Sequence, residues 1–173
     1  MKVFIIAVQT VDGFIARKES EPSFAWTSGA DKKNFVERTK KAGVVIMGRK
    51  TFETIGKPLK DRLVVVYSHK PLSKQFEGVE QTDKAPRELL QELAGRGYSE
   101  VAVCGGASIY SLFLKERVVD TLYLTLEPRL FGTGIKLLSE PFDGSLQLAS
   151  STKLAASVLL LEYTITYGSS HEK

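Results

Sequence analysis

The chain has 173 residues, 43% hydrophobic and 25% charged, with a formal net charge of +4, which suits one domain with a full core (expected over 1–168, before a polar tail at 169–173 that holds His171). One cysteine, Cys104, excludes an internal disulfide, and two histidines, His69 and His171, leave no cluster for a metal. The cations are scattered rather than striped with aromatics, which argues against nucleic acid, and the apolar start MKVFIIAVQ is too short for a membrane span or a signal core, so a cytoplasmic protein is expected.

In chain order, 3–8 is a continuous apolar run, the pattern of a strand buried on both faces. The stretch 17–25 is charged, interrupted by Pro22, and reads as a loop. Ser28 suits the N-cap of a helix on which Asp31, Phe35 and Thr39, spaced by four, share one face. Lys32, Lys33 and the cations from Arg38 to Lys41 read as the solvated side of that helix. A strand at 43–47 leads into Gly48-Arg49-Lys50-Thr51 and a short helix that stops at Gly56. A strand at 62–67 is followed by a turn-rich stretch at 69–73. A helix over 86–94 buries Leu89, Leu90 and Leu93 and stops at Gly95. A strand at 101–104 runs into Gly105-Gly106 and a helix carrying Ile109, Tyr110, Phe113 and Leu114. Residues 122–126 form a further strand, a loop with Gly132 and Gly134 follows, and 146–150 with 157–167 make a terminal antiparallel hairpin. Strands alternating with helices predict an α/β domain with a mainly parallel sheet, helices on both faces and an antiparallel edge.

Ligands of such sheets bind beyond the carboxyl ends of the strands, and two strand ends here carry glycine turns. Gly48-Arg49-Lys50-Thr51 combines backbone N–H groups at a helix start with two cations and a hydroxyl, a set suited to phosphate. Gly105-Gly106-Ala107-Ser108 is uncharged and lets a pyrophosphate approach the backbone. Either turn alone is compatible with a purely structural role. Together they point to a dinucleotide with an extra phosphate.

The stretches IMGRKTFETIGKPLKDR and VCGGASIYSLFL closely resemble their counterparts in dihydrofolate reductases. So do the spacing from Trp26 through Asp31 and Phe35 to Thr39, and LYLT at 122–125. The resemblance runs from residue 3 to about 126. It implies a dihydrofolate reductase-like three-layer fold, with a central, mostly parallel eight-stranded sheet, and NADPH as cofactor. It implies that Asp31 is the carboxylate that grips the pterin and supports its protonation, with Thr125 as the hydroxyl beside it and Trp26 holding ordered water near the ring. Phe35, Ile55 and Leu59 correspond to the apolar walls of the folate slot, and Arg62 to the arginine that binds the folate glutamate. For the cofactor, it implies Gly48, Arg49, Lys50 and Thr51 at one phosphate turn. The other turn comprises Cys104, Gly105, Gly106, Ala107, Ser108, Ile109 and Tyr110, of which Tyr110 also borders the substrate and Cys104 carries no chemistry. Ser68 and His69 fall near the adenosine phosphate, and Ala7 and Ile15 near the nicotinamide and pterin. The implied reaction is reduction of dihydrofolate to tetrahydrofolate, with antifolates such as methotrexate as further ligands and a monomer or homodimer as the assembly.

Departures from the family pattern fall in two places. Ala25 stands where the family has proline before the tryptophan, and Thr27-Ser28-Gly29 replaces a leucine-containing step, so the lid over the nicotinamide differs. TVDGFIA at 10–16 and PRLFGTG at 128–134 look more like the reductases of riboflavin biosynthesis, which use NADPH on a diaminopyrimidinone ribosyl phosphate. Asp31 and Arg62 favour the folate. The sister activity, and an NADPH-binding homologue with altered chemistry, remain the alternatives. From its helical position alone, Asp31 should project with Phe35 into an apolar slot, where burial raises its pKa toward that of a useful acid. In the other reading it is a first-turn carboxylate that only complements the helix dipole.

Overall fold

A computed structural model describes residues 1–168; the tail at 169–173, with His171, lies outside the described residues. The chain forms β1 (Lys2–Thr10), β2 (Phe14–Ala16), α1 (Gly29–Ala42), β3 (Val44–Gly48), α2 (Arg49–Ile55), β4 (Leu63–Tyr67) and β5 (Val79–Thr82). It continues through α3 (Pro86–Gly95), β6 (Glu100–Val103), α4 (Ala107–Lys115), β7 (Thr121–Glu127), β8 (Ile135–Lys136), β9 (Gly144–Ala155) and β10 (Val158–Tyr167). The main sheet has eight strands in the order β5-β4-β3-β6-β1-β7-β10-β9. It is parallel from β5 to β7, and β10 and β9 close it antiparallel.

The central strands are apolar throughout because each of their faces meets a core. In β1, Val3, Ile5 and Ala7 join Leu89, Leu93 and Phe113 of α3 and α4. Phe4 and Ile6 point the other way, to Ala42 of α1, Met47 of β3 and Phe52 of α2. The expected three layers follow, with α1 and α2 on one face and α3 and α4 on the other. Among the described residues no helix is long and apolar enough to cross a membrane.

The start of α1 follows its sequence. The Ser28 hydroxyl accepts the Asp31 N–H at 3.2 Å, so Ser28 is the N-cap. Asp31 and Thr39 are buried on the face they share with Phe35. Not all the α1 cations are merely solvated. The Arg38 guanidinium stacks 3.8 Å above the Tyr123 ring and donates to Asn34 Oδ1, because α1 packs over the sheet and the long arginine reaches across it to β7.

Several elements differ from the sequence expectation. Strand β5 was not anticipated: its segment VEQT pairs only with β4, so no apolar alternation marks it. Gly95 is the last helical residue of α3 rather than its stop, and the left-handed reversal falls at Gly97, with φ +90°. Strand β9 is twelve residues long, far beyond the expected 146–150, and Ser157 sits in the turn before β10. The backbone pairing with β10 defines β9, and nearly every one of its residues is exposed. Finally, β2 and β8 form a separate two-stranded ribbon that brings together the segments 10–16 and 128–134. Asp12 ties the ribbon's connections: its carboxylate accepts from the Thr10 hydroxyl, at 2.5 Å, and from the backbone N–H groups of Phe131 and Gly132. Those donors, the Thr10 hydroxyl first, hold its pKa below the ordinary carboxylate value.

Candidate active site

Strands β3 and β6 are parallel neighbours, with Ile46 opposite Val103, so their carboxyl ends arrive side by side. The two glycine turns therefore touch. Gly48 N–H donates to Gly105 O at 2.7 Å, and Cys104 N–H donates to Ile46 O at 2.8 Å. A Cβ at Gly48 would lie 3.1 Å from Ile109 Cγ1, tighter than ordinary van der Waals contact. Gly105 has φ +99°, and a Cβ there would lie 2.8 Å from the Tyr110 hydroxyl. The sequence places glycine where α4 packs under the turns, closely at Gly48 and with no room for a side chain at Gly105.

Beyond the turns opens a cleft of about 1190 Å³, larger than the ~300–1,000 Å³ of a pocket for one small ligand. At one end its wall is formed by the turn residues Gly48, Arg49, Lys50 and Thr51 and by Gly106, Ala107, Ser108 and Ile109, with Ser68 and His69 beside them. At the other end stand Asp31, Phe35, Ile55, Leu59 and Arg62. Ala7, Ile15, Cys104 and Tyr110 line the stretch between. The structure thus gathers most of the expected residues into one cavity. Three do not border it. Gly105 is covered by Tyr110. Thr125, fully buried on β7, lies behind Asp31. Trp26 is directed by the short 3-10 turn Ser23–Ala25 against the Phe131 ring, 5.0 Å away and edge to face.

Asp31 is 8% exposed. Burial is the largest influence on its carboxyl and raises the pKa, and the negative charge of Glu127 adds to the rise. The hydroxyls of Thr125 and Thr27 lie close enough to oppose that rise, although neither makes a hydrogen bond of standard geometry. A buried carboxyl with a raised pKa holds its proton to higher pH than a free one, and when ionised it can grip a cationic amidine-like edge. Arg62 is held from the other side. Its Nη1 donates to Thr39 Oγ1 at 2.7 Å, its Nε donates to Lys60 O at 3.0 Å, and it forms no ion pair among the described residues. The Thr39 hydroxyl in turn donates to Phe35 O at 2.6 Å, so the guanidinium is held by α1 at the border of the cleft.

The basic turn is not idle in this structure. Arg49 pairs with Glu53 at 2.8 Å and Lys50 with Glu19 of the 17–25 loop at 2.5 Å. Both pairs are well exposed, and such pairs are worth about 0–1 kcal/mol, a cost that a phosphate dianion can repay. Two cations, a hydroxyl on Thr51 and two glycine-lined backbone turns fit the phosphates of a dinucleotide. Arg49, Lys50, Thr51, Ala107 and Ser108 are the residues that would hold them.

Sequence reasoning missed several residues that shape this site. Glu19 and Phe24 bring the 17–25 loop over the cleft. Phe131 receives both the Trp26 edge and the Arg17 guanidinium, the latter 3.9 Å from its ring centroid. Thr27 and Glu127 flank Asp31. Glu127 carried a faint signal, since it lies two residues beyond Thr125 and so on the same strand face. The others depend on contacts distant in sequence. Tyr110 is buried, and its hydroxyl donates to Ile6 O at 3.0 Å, tying α4 to β1 under the cleft. Tyr110→Phe is expected to lose about 1 kcal/mol, read as a lower urea midpoint with an unchanged slope; an unchanged midpoint would show the bond to be energetically silent.

The sheet order and the paired glycine turns define the dihydrofolate reductase-like class of α/β folds. The chain belongs to the dihydrofolate reductase family, a family of NADPH-dependent oxidoreductases: that family's sequence profile matches residues 2–129. The chain is 35% identical over 127 residues to the type 3 dihydrofolate reductase of Salmonella typhimurium, covering 72% of this chain and 71% of the relative. It is 27% identical over 169 residues, 93% of this chain and 95% of the relative, to the uncharacterized protein YwjB of Bacillus subtilis. Among solved structures, a protein provisionally ascribed to riboflavin biosynthesis in Shewanella sp. PV-4 superposes with a TM-score of 0.82, covering 96% of this chain and 99% of its own, at 21% identity. At that identity the last likeness speaks to fold alone.

Proposed function

We propose that this protein reduces 7,8-dihydrofolate to 5,6,7,8-tetrahydrofolate with NADPH. The observation that carries the reading is Asp31, the buried carboxylate among the cleft-lining residues, set at the inner end of a slot walled by Phe35, Ile55 and Leu59. A 2-aminopyrimidine edge supplies the donors such a carboxylate needs, and the apolar walls take the two faces of a flat ring. NADPH, when bound, supplies the hydride delivered to C6. Asp31 orients the ring and favours protonation at N5, with Thr125 and Thr27 as its hydroxyl neighbours and Trp26 closing the wall behind. Arg62 receives the carboxylate of the glutamate tail. Gly48, Arg49, Lys50 and Thr51, with Gly105 to Ser108, receive the cofactor's phosphates, and Ser68 and His69 the adenosine phosphate. Ala7 and Ile15 border the nicotinamide. Positioning and fixed charge supply the acceleration, with no covalent intermediate.

The second reading, reduction of a diaminopyrimidinone ribosyl phosphate, is favoured by the way the two segments that resemble the riboflavin-pathway reductases, 10–16 and 128–134, are joined beside the β2–β8 ribbon. Following NADPH oxidation with each substrate in parallel tests the proposal. Consumption of dihydrofolate supports it, and consumption of the ribosyl phosphate alone replaces it with the second reading. If NADPH protects the protein thermally while neither substrate is consumed, the homologue with altered chemistry is left. Arg62→Ala should raise KM for dihydrofolate ~10- to 100-fold, the worth of a charged hydrogen bond, with kcat little changed. An unmoved KM would remove Arg62 from the substrate site.

A further inference from the structure

Glu127 is 3% exposed, ends β7, and forms no ion pair among the described residues. One of its oxygens accepts the Ser28 N–H at 2.8 Å. Ser28 is the residue whose hydroxyl caps α1 by accepting the Asp31 N–H. Two hydrogen bonds therefore lead from the Glu127 carboxylate to the backbone of Asp31, and Glu127 shares its strand face with Thr125, which neighbours the Asp31 carboxyl. A glutamine at 127 could accept the same Ser28 N–H without the cost of burying a charge. What the carboxylate alone adds is that charge.

We propose that Glu127 is a positioning residue for Asp31, a buried carboxylate that fixes the first turn of α1 and sets a second carboxylate beside the Asp31 carboxyl. The proposal rests on the reading of Asp31 as the acid of a reductase. The groups facing Asp31 are the Thr27 hydroxyl, Thr125 and Glu127 from β7, Tyr110 from α4, and Lys32 on its own helix. Of these charges, that of Lys32 pulls the carboxyl pKa down and that of Glu127 pushes it up. Lys32 is exposed to solvent, where its field is screened, whereas Glu127 acts through the protein interior. Glu127 thus favours the protonated form of Asp31, and it does so from behind the cleft rather than from its lining.

The test is a carboxyl-carbon NMR titration of Asp31 in protein labelled at aspartate and glutamate, which needs no substrate. In Glu127→Gln the Asp31 midpoint should move to lower pH. In Glu127→Asp, which keeps the charge on a shorter arm, it should stay closer to the wild-type value although the protein melts lower. An unmoved midpoint in Glu127→Gln, or equal falls in both variants, would overturn the proposal, the second because it would mark a purely structural effect. The wild-type protein offers a check independent of either variant: coupling to Glu127 should broaden the Asp31 curve beyond that of a single independent proton, and a simple one-proton curve would count against the pair. The kcat–pH profile with NADPH and dihydrofolate, measured alongside, separates the two layers of argument. A moved titration with an unmoved profile keeps Glu127 coupled to Asp31 and removes Asp31 from the rate-determining proton transfer.

Discussion

Asp31→Asn is expected to lower turnover of dihydrofolate at pH 7 by ~10²- to 10⁴-fold, the usual worth of a positioned acid or base, while thermal protection by NADPH stays near wild type. The separation follows from the geometry. Asp31 stands at the far end of the cleft from Gly48-Arg49-Lys50-Thr51, and asparagine has nearly the volume of aspartate, so the phosphate end should not register the change. The same variant has a second expected result, of opposite sign. Burial raises the Asp31 pKa above the ordinary value of 3.8. Ionising it therefore costs the folded state free energy that the unfolded chain does not spend, and the stability it contributes below 3.8 is lost as pH rises through the folded-state pKa. Asparagine has no such loss. Its melting temperature relative to wild type should therefore climb from pH 4 to pH 8. A variant that is slower yet more stable at pH 8 would mark Asp31 as a functional residue held against the preference of the fold. If the melting difference stayed flat across that range, the carboxyl would not be the strained group inferred here, and if turnover survived, it would not be the acid.

The parts of the molecule legible from sequence are those whose local pattern and tertiary role coincide. Strands β1, β3 and β6 are unbroken apolar runs because they are central and covered on both faces. The glycine turns announce themselves because Ile109 packs close under Gly48 and Tyr110 leaves no room at Gly105. Asp31 was readable from its four-residue spacing to Phe35 and Thr39, a purely local relation. Strands β5, β8 and most of β9 escaped notice because backbone pairing holds them with little apolar burial, so composition carries no trace of them. Trp26 shows a contact that sequence could not supply. Its expected place near the ring came from resemblance, and in the structure its indole packs on Phe131, a residue 105 positions away that Asp12 holds by its backbone. The segments that depart most from the dihydrofolate reductase pattern, around residues 12 and 131, are thus the ones that pack against a residue carried over from it.

The two turns make a second large effect testable without knowing the substrate. Gly105→Ala should destabilise the protein and weaken NADPH together. At φ +99° an L-residue is strained, at a cost of about 1–3 kcal/mol, and its methyl would meet the Tyr110 hydroxyl at 2.8 Å and Cζ at 2.9 Å. Tyr110 has little freedom to retreat, since it is buried and its hydroxyl is bonded to Ile6 O. Relief must come from the turn, whose carbonyl at Gly105 accepts the Gly48 N–H, so both phosphate turns should shift at once. The expectation is a melting temperature lower by several degrees, at roughly 2–4 °C per kcal/mol for a chain of this size, and an NADPH affinity at least ~10-fold weaker. Gly106→Ala is the instructive contrast. Its φ of −71° suits any residue, and the added methyl would rest 3.4 Å from Thr51 Oγ1, on the cleft side. Stability should hold while NADPH weakens. If Gly106→Ala left NADPH binding intact, the cofactor's phosphates would have to lie elsewhere than between these turns, and the pairing of β3 with β6 would be a matter of fold alone.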